Sequence, residues 1–157
     1  EAHDVRDVLE EVCSLVQDRR RLAHQNAPDV ALVAVSGLIV ELARTPVVQA
    51  FTNIVQNAVE AYDNTGRSPR VEITAGREQN AISIAVRDFG CGMDAAQLEQ
   101  AKVLFSSSKS YGTGFGLPLA LRIVESEHEG RLRLESRKGE GTTVHVLLPL
   151  KASGGES

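Results

Sequence analysis

A chain of 157 residues allows one domain with a sizeable core, and 42% hydrophobic with 24% charged residues is the ordinary balance of a globular protein. A formal charge of −4 excludes broad non-specific nucleic-acid binding, which needs a basic surface, and the lone cluster Arg19-Arg20-Arg21 reads as a solvated helix end. Cys13 and Cys91 lack metal-ligand spacing and fit a reducing cytoplasm better than a disulfide framework, while the longest apolar run, residues 30–40, falls well short of the roughly 20 residues a membrane-crossing helix needs.

Residues 4–24 alternate charged positions with Val5, Val8, Leu9, Val12, Leu15, Val16 and Leu22, which predicts an amphipathic helix capped by Asp4. Residues 30–35 read as a buried strand, and 39–42 as a short extended piece or the approach to the next helix. That helix spans 45–63, with Thr45 as N-cap, Pro46 at the first helical position, and Val47, Val48, Phe51, Ile54, Val55, Ala58 and Val59 as its buried face. A turn at 64–69 leads to strands at 70–75 and 81–87, joined across a polar loop at 76–80. Residues 88–93 form a glycine loop, and Asp94 starts a short helix to about Val103. The polar, glycine-rich stretch 106–116 predicts a mobile segment, followed by a helix over 117–127 that holds Pro118 in its first turn. Strands at 131–136 and 142–148 make a second hairpin across 137–141, and the tail 151–157 is expected to be disordered. This order predicts an α+β two-layer sandwich over residues 1–150, a mixed, mostly antiparallel sheet of about five strands backed by three main helices.

Asn53 and Asn57 are four residues apart and so stack on one helix face, with Glu60 on the same side. Two amides and a carboxylate are oxygen ligands for a hard cation such as Mg²⁺, though alone they also fit a solvated polar face. Asp88 ends a strand, where its carboxylate can accept from an exocyclic amine, and Gly90 and Gly92 allow close approach to a flat ring; a plain turn has the same pattern. Gly112, Gly114 and Gly116, alternating with Thr113 and Phe115 before Leu117, open a helix with free N–H groups suited to phosphate, and Lys109 lies just upstream. The G-K-[ST] ending of a Walker loop is missing, and the glycines do not close a first βα turn as a dinucleotide fingerprint would.

Taken in order, an N-x-x-x-N helix, D-x-G-x-G, a lysine-bearing lid, G-x-G-x-G and G-x-G-T resemble the ATP-binding domain of sensor histidine kinases. That superfamily (the Bergerat fold) also holds type II topoisomerase, ninety-kilodalton heat-shock and mismatch-repair ATPases. The resemblance runs from about Asp4 to Leu150, and residues 105–124 look like the short-lid subgroup typified by nitrogen-regulatory kinases. It implies ATP and Mg²⁺ as cofactors, Asn57 as metal ligand with Asn53 as its companion, Asp88 as adenine reader beside Gly90 and Gly92, and Lys109 as the lid lysine. Gly112, Thr113, Gly114, Gly116 and Leu117 match the phosphate loop, and Gly139, Gly141 and Thr142 match the last box, with Thr142 on the adenine side.

Three positions depart from the family pattern. Glu60 replaces a common phosphate-contacting lysine, Lys102 replaces a lid-anchoring Phe and leaves only Phe105, and His128-Glu129-Gly130 replaces histidine-glycine-glycine. In the ATP-hydrolysing branches a glutamate at the position of Asn53 activates water; an amide cannot, so the resemblance implies phosphotransfer to a histidine rather than hydrolysis. His3, His24, His128 and His145 are the only histidines and none lies in an H-E-x-x-x-P-like helix; His128-Glu129 reads as a surface loop. The acceptor is therefore expected on a dimerisation domain before Glu1, in a larger, homodimeric parent, membrane-anchored or not, that serves a response regulator and no nucleic acid. An anti-sigma-type serine kinase of the same superfamily and a non-catalytic ATP-sensing module are the alternatives.

Overall fold

The computed structural model describes residues 1–23, 28–34, 37–62, 65–106 and 117–150. A short strand, β1 (Ala2–Asp4), precedes α1 (Val5–Leu22), and Asp4 caps that helix as expected by accepting the Arg6 N–H at 3.0 Å. Val5, Val8, Leu9, Val12 and Val16 are buried along α1, and the arginines of its last turn suit the negative helix end. The strand β2 (Asp29–Ala34) corrects the expectation of a buried strand: Asp29, Ala31 and Val33 are exposed, Val33 to 65%. It lies at an edge of the sheet, so it has one neighbour and only one covered face. Next, β3 (Ile39–Glu41) pairs antiparallel with β1, a contact across the chain that local periodicity could not signal.

The helix α2 (Arg44–Glu60) starts before Thr45, which is not its cap. Ala43 holds the N-cap position and the first helical bond runs from Val47 N–H to Ala43 O at 3.1 Å, so Thr45 and Pro46 lie inside the first turn. Proline is tolerated there because N–H groups of that turn have no intrahelical acceptor. The Ala43 N–H instead donates to His128 Nε2 at 3.0 Å, 85 residues away. The strands β4 (Arg70–Glu78) and β5 (Ala81–Asp88) run longer than predicted, and their loop shrinks to Gln79 and Asn80, with Gln79 at φ +55.

Asp94 caps α3 (Ala95–Ser106) through a reciprocal pair with Gln97: the Gln97 N–H donates to Asp94 Oδ1 at 2.8 Å, and the Asp94 N–H to Gln97 Oε1 at 2.9 Å. Residues 117–127 are not one α-helix. A five-residue α4 (Leu117–Leu121) widens into a π-helix over Arg122–Glu127. Its end is pinned by Gly130, whose N–H donates to Val124 O at 2.8 Å. The final hairpin pairs β6 (Arg131–Arg137) with β7 (Gly141–Pro149).

The five-stranded sheet has the order β2-β4-β5-β7-β6, parallel between β2 and β4 and antiparallel elsewhere. One register row, Leu32, Ile73, Val86, Val144 and Leu134, crosses all five strands on the inner face. The core lies between this face and the apolar stripes of α1 and α2, and Ala120, Ile123 and Val124, next to α2, belong to the same cluster. The architecture is the predicted mixed α+β sandwich, with four α-helices and one π-helical segment among the described residues. Among the described residues no helix is long and apolar enough to cross a membrane.

Candidate functional site

Asp88 closes β5, and strand alternation turns its side chain inward with Val86 and Ile84, so it is 5% exposed. A buried carboxylate needs donors. Its Oδ1 accepts the Gly90 N–H at 2.9 Å and the Thr142 N–H at 3.3 Å, while Oδ2 accepts from no described residue. Burial pushes the Asp88 carboxyl above its usual range, against the two amide bonds and the Arg67 and Arg87 guanidinium groups, which favour the charged form.

The loop after Asp88 is clamped to the β6–β7 hairpin. Gly139 N–H donates to Cys91 O at 2.6 Å, and Met93 N–H donates to Ser136 Oγ at 2.9 Å. Ser136 Oγ donates in turn to Gly141 O at 3.0 Å and lies 2.8 Å from Thr142 Oγ1. Two glycines make this approach possible. A Cβ on Gly92, at φ +69, would lie 2.8 Å from Arg137 C and closer still to its oxygen; one on Gly141, at φ +99, would lie 2.9 Å from Asp88 C and closer still to Asp88 O. Gly90 faces the other way, its missing Cβ 3.5 Å from Ala61 Cβ just past the end of α2.

That contact joins the Asp88 loop to the asparagine helix. Asn57 lies one turn before Ala61, whose N–H it receives at 3.1 Å, and Asn53 lies a turn earlier. Asn53, Asn57 and Glu60 are half-buried on the side of α2 away from its apolar stripe. Glu60 is engaged locally, accepting from Gln56 Nε2 at 3.1 Å, and the Asn57 amide bonds no other described side chain. The structure thus brings Asp88, Gly90, Gly92, Thr142 and the end of α2 together. Lys109, Gly112, Thr113, Gly114 and Gly116 lie outside the described residues, as do the expected mobile segment beyond Ser106 and the tail; Leu117 opens α4.

Several contributors escaped the sequence. Tyr62 hydroxyl donates to Arg70 O at 2.8 Å and accepts the Phe89 N–H at 2.7 Å, holding the strand end that presents Asp88. Arg70 and Arg87 both approach the Phe89 ring, each guanidinium 4.6 Å from its centre. Ser136 faces Thr142 across the hairpin register, a pairing legible only once the turn is placed. His128 is no simple surface-loop residue, since both ring nitrogens are bonded.

No three His, Cys, Asp or Glu side chains cluster as metal ligands among the described residues. Comparison with known proteins agrees with the geometry. The family described as histidine kinase-, DNA gyrase B-, and HSP90-like ATPase matches residues 43–152, which include Asn53, Asn57, Asp88 and Thr142. Sporulation kinase C of Bacillus subtilis (strain 168) is 33% identical over 150 residues, covering 96% of this chain and 34% of that protein. The chain therefore spans about a third of that relative's length. Among solved structures, the catalytic domain of histidine kinase ThkA superposes with a TM-score of 0.76 at 27% identity, covering 95% of this chain and 94% of that one. Histidine kinase ThkA in complex with response regulator protein TrrA gives a TM-score of 0.74 at 26% identity over 95% of this chain and 41% of that one. By the extent of the family match and by its fold, the chain belongs to the histidine kinase-, DNA gyrase B- and HSP90-like ATPases, as an ATP-binding domain of the histidine kinase type.

Proposed function

We propose that residues 1–150 form the catalytic domain of a sensor histidine kinase, which binds ATP and passes its γ-phosphoryl group to a histidine on a dimerisation domain outside this chain. The observation that carries the reading is the environment of Asp88: one carboxylate oxygen is taken by two backbone amides, and the other accepts from no described residue. An exocyclic amine such as that of adenine supplies the donor this oxygen lacks; guanine presents a carbonyl in its place.

Asn57, with Asn53 as its companion one turn earlier, would hold Mg²⁺, whose charge would offset that of the phosphates. Lys109 and the run Gly112, Thr113, Gly114, Gly116 and Leu117 would meet the triphosphate, Lys109 with an ammonium and the glycines with backbone N–H groups. Asn53 has no basic lone pair, so bound ATP persists until an imidazole nucleophile reaches it. The complex of ThkA with response regulator protein TrrA supports a response regulator as the later phosphoryl acceptor, and the same reading takes the parent to be a homodimer with this domain in the cytoplasm.

The test joins this domain to its upstream acceptor region and follows phosphohistidine with ATP. Transfer is expected from the wild type, and Asn57→Ala should abolish it without loss of fold, because α2 keeps its buried stripe. Undiminished transfer by Asn57→Ala would remove the metal-site assignment, and transfer to serine alone would favour an anti-sigma-type kinase.

A further inference from the structure

The first N–H groups of a helix need acceptors from elsewhere, and its last carbonyls need donors. At His128 a single side chain supplies both. Its Nε2 accepts the Ala43 N–H at 3.0 Å, where α2 begins without a side-chain cap of its own, and its Nδ1 lies 2.8 Å from Ile123 O in the π-helical segment. An amide N–H only donates and a carbonyl only accepts, so in this pose the ring is neutral with its proton on Nδ1. The backbone around it is tightly specified. Glu129 takes φ +57, and Gly130 has Val124 Cγ1 3.2 Å from where its Cβ would stand, with Leu147 O closer still.

We propose that His128 is a positioning residue for the nucleotide site, tying the segment that follows the glycine loop to the start of the helix that bears Asn53 and Asn57. The inference rests on the reading of α2 as a nucleotide-binding helix. Burial of an apolar stripe is non-directional and leaves a helix some freedom to slide and tilt along its neighbours. A hydrogen bond at one end fixes its position. At 1.5 Å per residue, Asn53 and Asn57 lie about 15 and 21 Å along the axis from Ala43, so a tilt of about 5° at the tethered end displaces them by roughly 1–2 Å. Displacements of that size are costly to groups that must meet a ligand together.

Two conservative variants separate the two bonds. His128→Gln keeps an acceptor at about the reach of Nε2, and His128→Asn keeps a donor near Ile123 but cannot reach Ala43. At temperatures where both are folded, the Asn variant should exchange its Ala43 amide proton at least tenfold faster than the wild type and bind ATP three- to tenfold more weakly. The Gln variant should stay within about twofold on both measures. A long-range ¹H–¹⁵N spectrum of the wild type at pH 8 should show the Nδ1-protonated tautomer. An Nε2-protonated ring, or an Asn variant with wild-type ATP affinity, would overturn the inference; faster exchange with unchanged affinity would leave His128 a purely structural residue and overturn it equally. Failure of the wild-type domain to bind ATP would instead remove the reading of the site, and this inference with it.

Discussion

Gly139 and Gly141 flank Glu140 in the β6–β7 turn, and both take positive φ, +86 and +99. An L side chain is strained at either position by about 1–2 kcal/mol, partly offset by the ~0.4–1 kcal/mol gained when alanine restricts the unfolded chain. Nothing lies within 4 Å of a Cβ built on Gly139, so Gly139→Ala should cost about 1 kcal/mol. Gly141→Ala carries the same strain, but its Cβ meets the backbone of Asp88 and Phe89, at 2.9 Å from Asp88 C and Phe89 Cα. Backbone atoms cannot rotate aside, and overpacking of this kind adds about 1–3 kcal/mol. The total is about 2–4 kcal/mol, and in a domain of this size each kcal/mol lowers Tm by about 2–4 °C. Thermal melts followed by circular dichroism should therefore place Gly139→Ala about 2–4 °C below the wild type and Gly141→Ala about 4–16 °C below. Calorimetric titration below both transitions should show a loss of ATP affinity only for Gly141→Ala, because that clash pushes Asp88 away from the Thr142 N–H. Equal melting shifts for the two variants would refute the close approach of the hairpin to Asp88.

Three further outcomes follow from the same site. The folded Asp88 carboxyl holds its proton more tightly than the unfolded one, so its favourable contribution is complete below about pH 4 and disappears as pH rises through its raised folded value. Asp88→Asn keeps an acceptor for Gly90 and Thr142 and should raise Tm at neutral pH, less so in acid, while abolishing ATP binding; a lower Tm at pH 7 would contradict the burial argument. Tyr62→Phe leaves the Phe89 N–H and Arg70 O without their partner and should cost about 1–3 kcal/mol in urea unfolding; an unchanged midpoint would show the bridge to be dispensable. Cys91 is exposed beside Gly90 and Gly92, so ATP, but not GTP, should slow its labelling by a thiol reagent, and equal protection by GTP would remove Asp88 as the adenine reader.

Periodicity alone determined the layer class and the courses of α1, α2 and α3, because these depend on spacings of two, three and four residues that any local window contains, whereas the grouping of Asn53, Asn57, Asp88 and Thr142 was implied only by the resemblance of the ordered motifs to a known family. The same information could not tell that β2 stands at an edge, since a Val-rich run looks alike whether one or both faces are covered. Nor could it find the start of α2: Thr45-Pro46 is a sound local signal, overridden because an imidazole 85 residues away receives the Ala43 N–H. Gly92 and Gly141 were legible as permissive residues, but only the folded chain shows what presses on each of them. Tyr62 and Ser136 were silent in the sequence, and His128 read only as part of a surface loop, for the same reason. Their partners are backbone groups of distant segments, and a main-chain N–H or carbonyl carries no residue identity for a sequence to display.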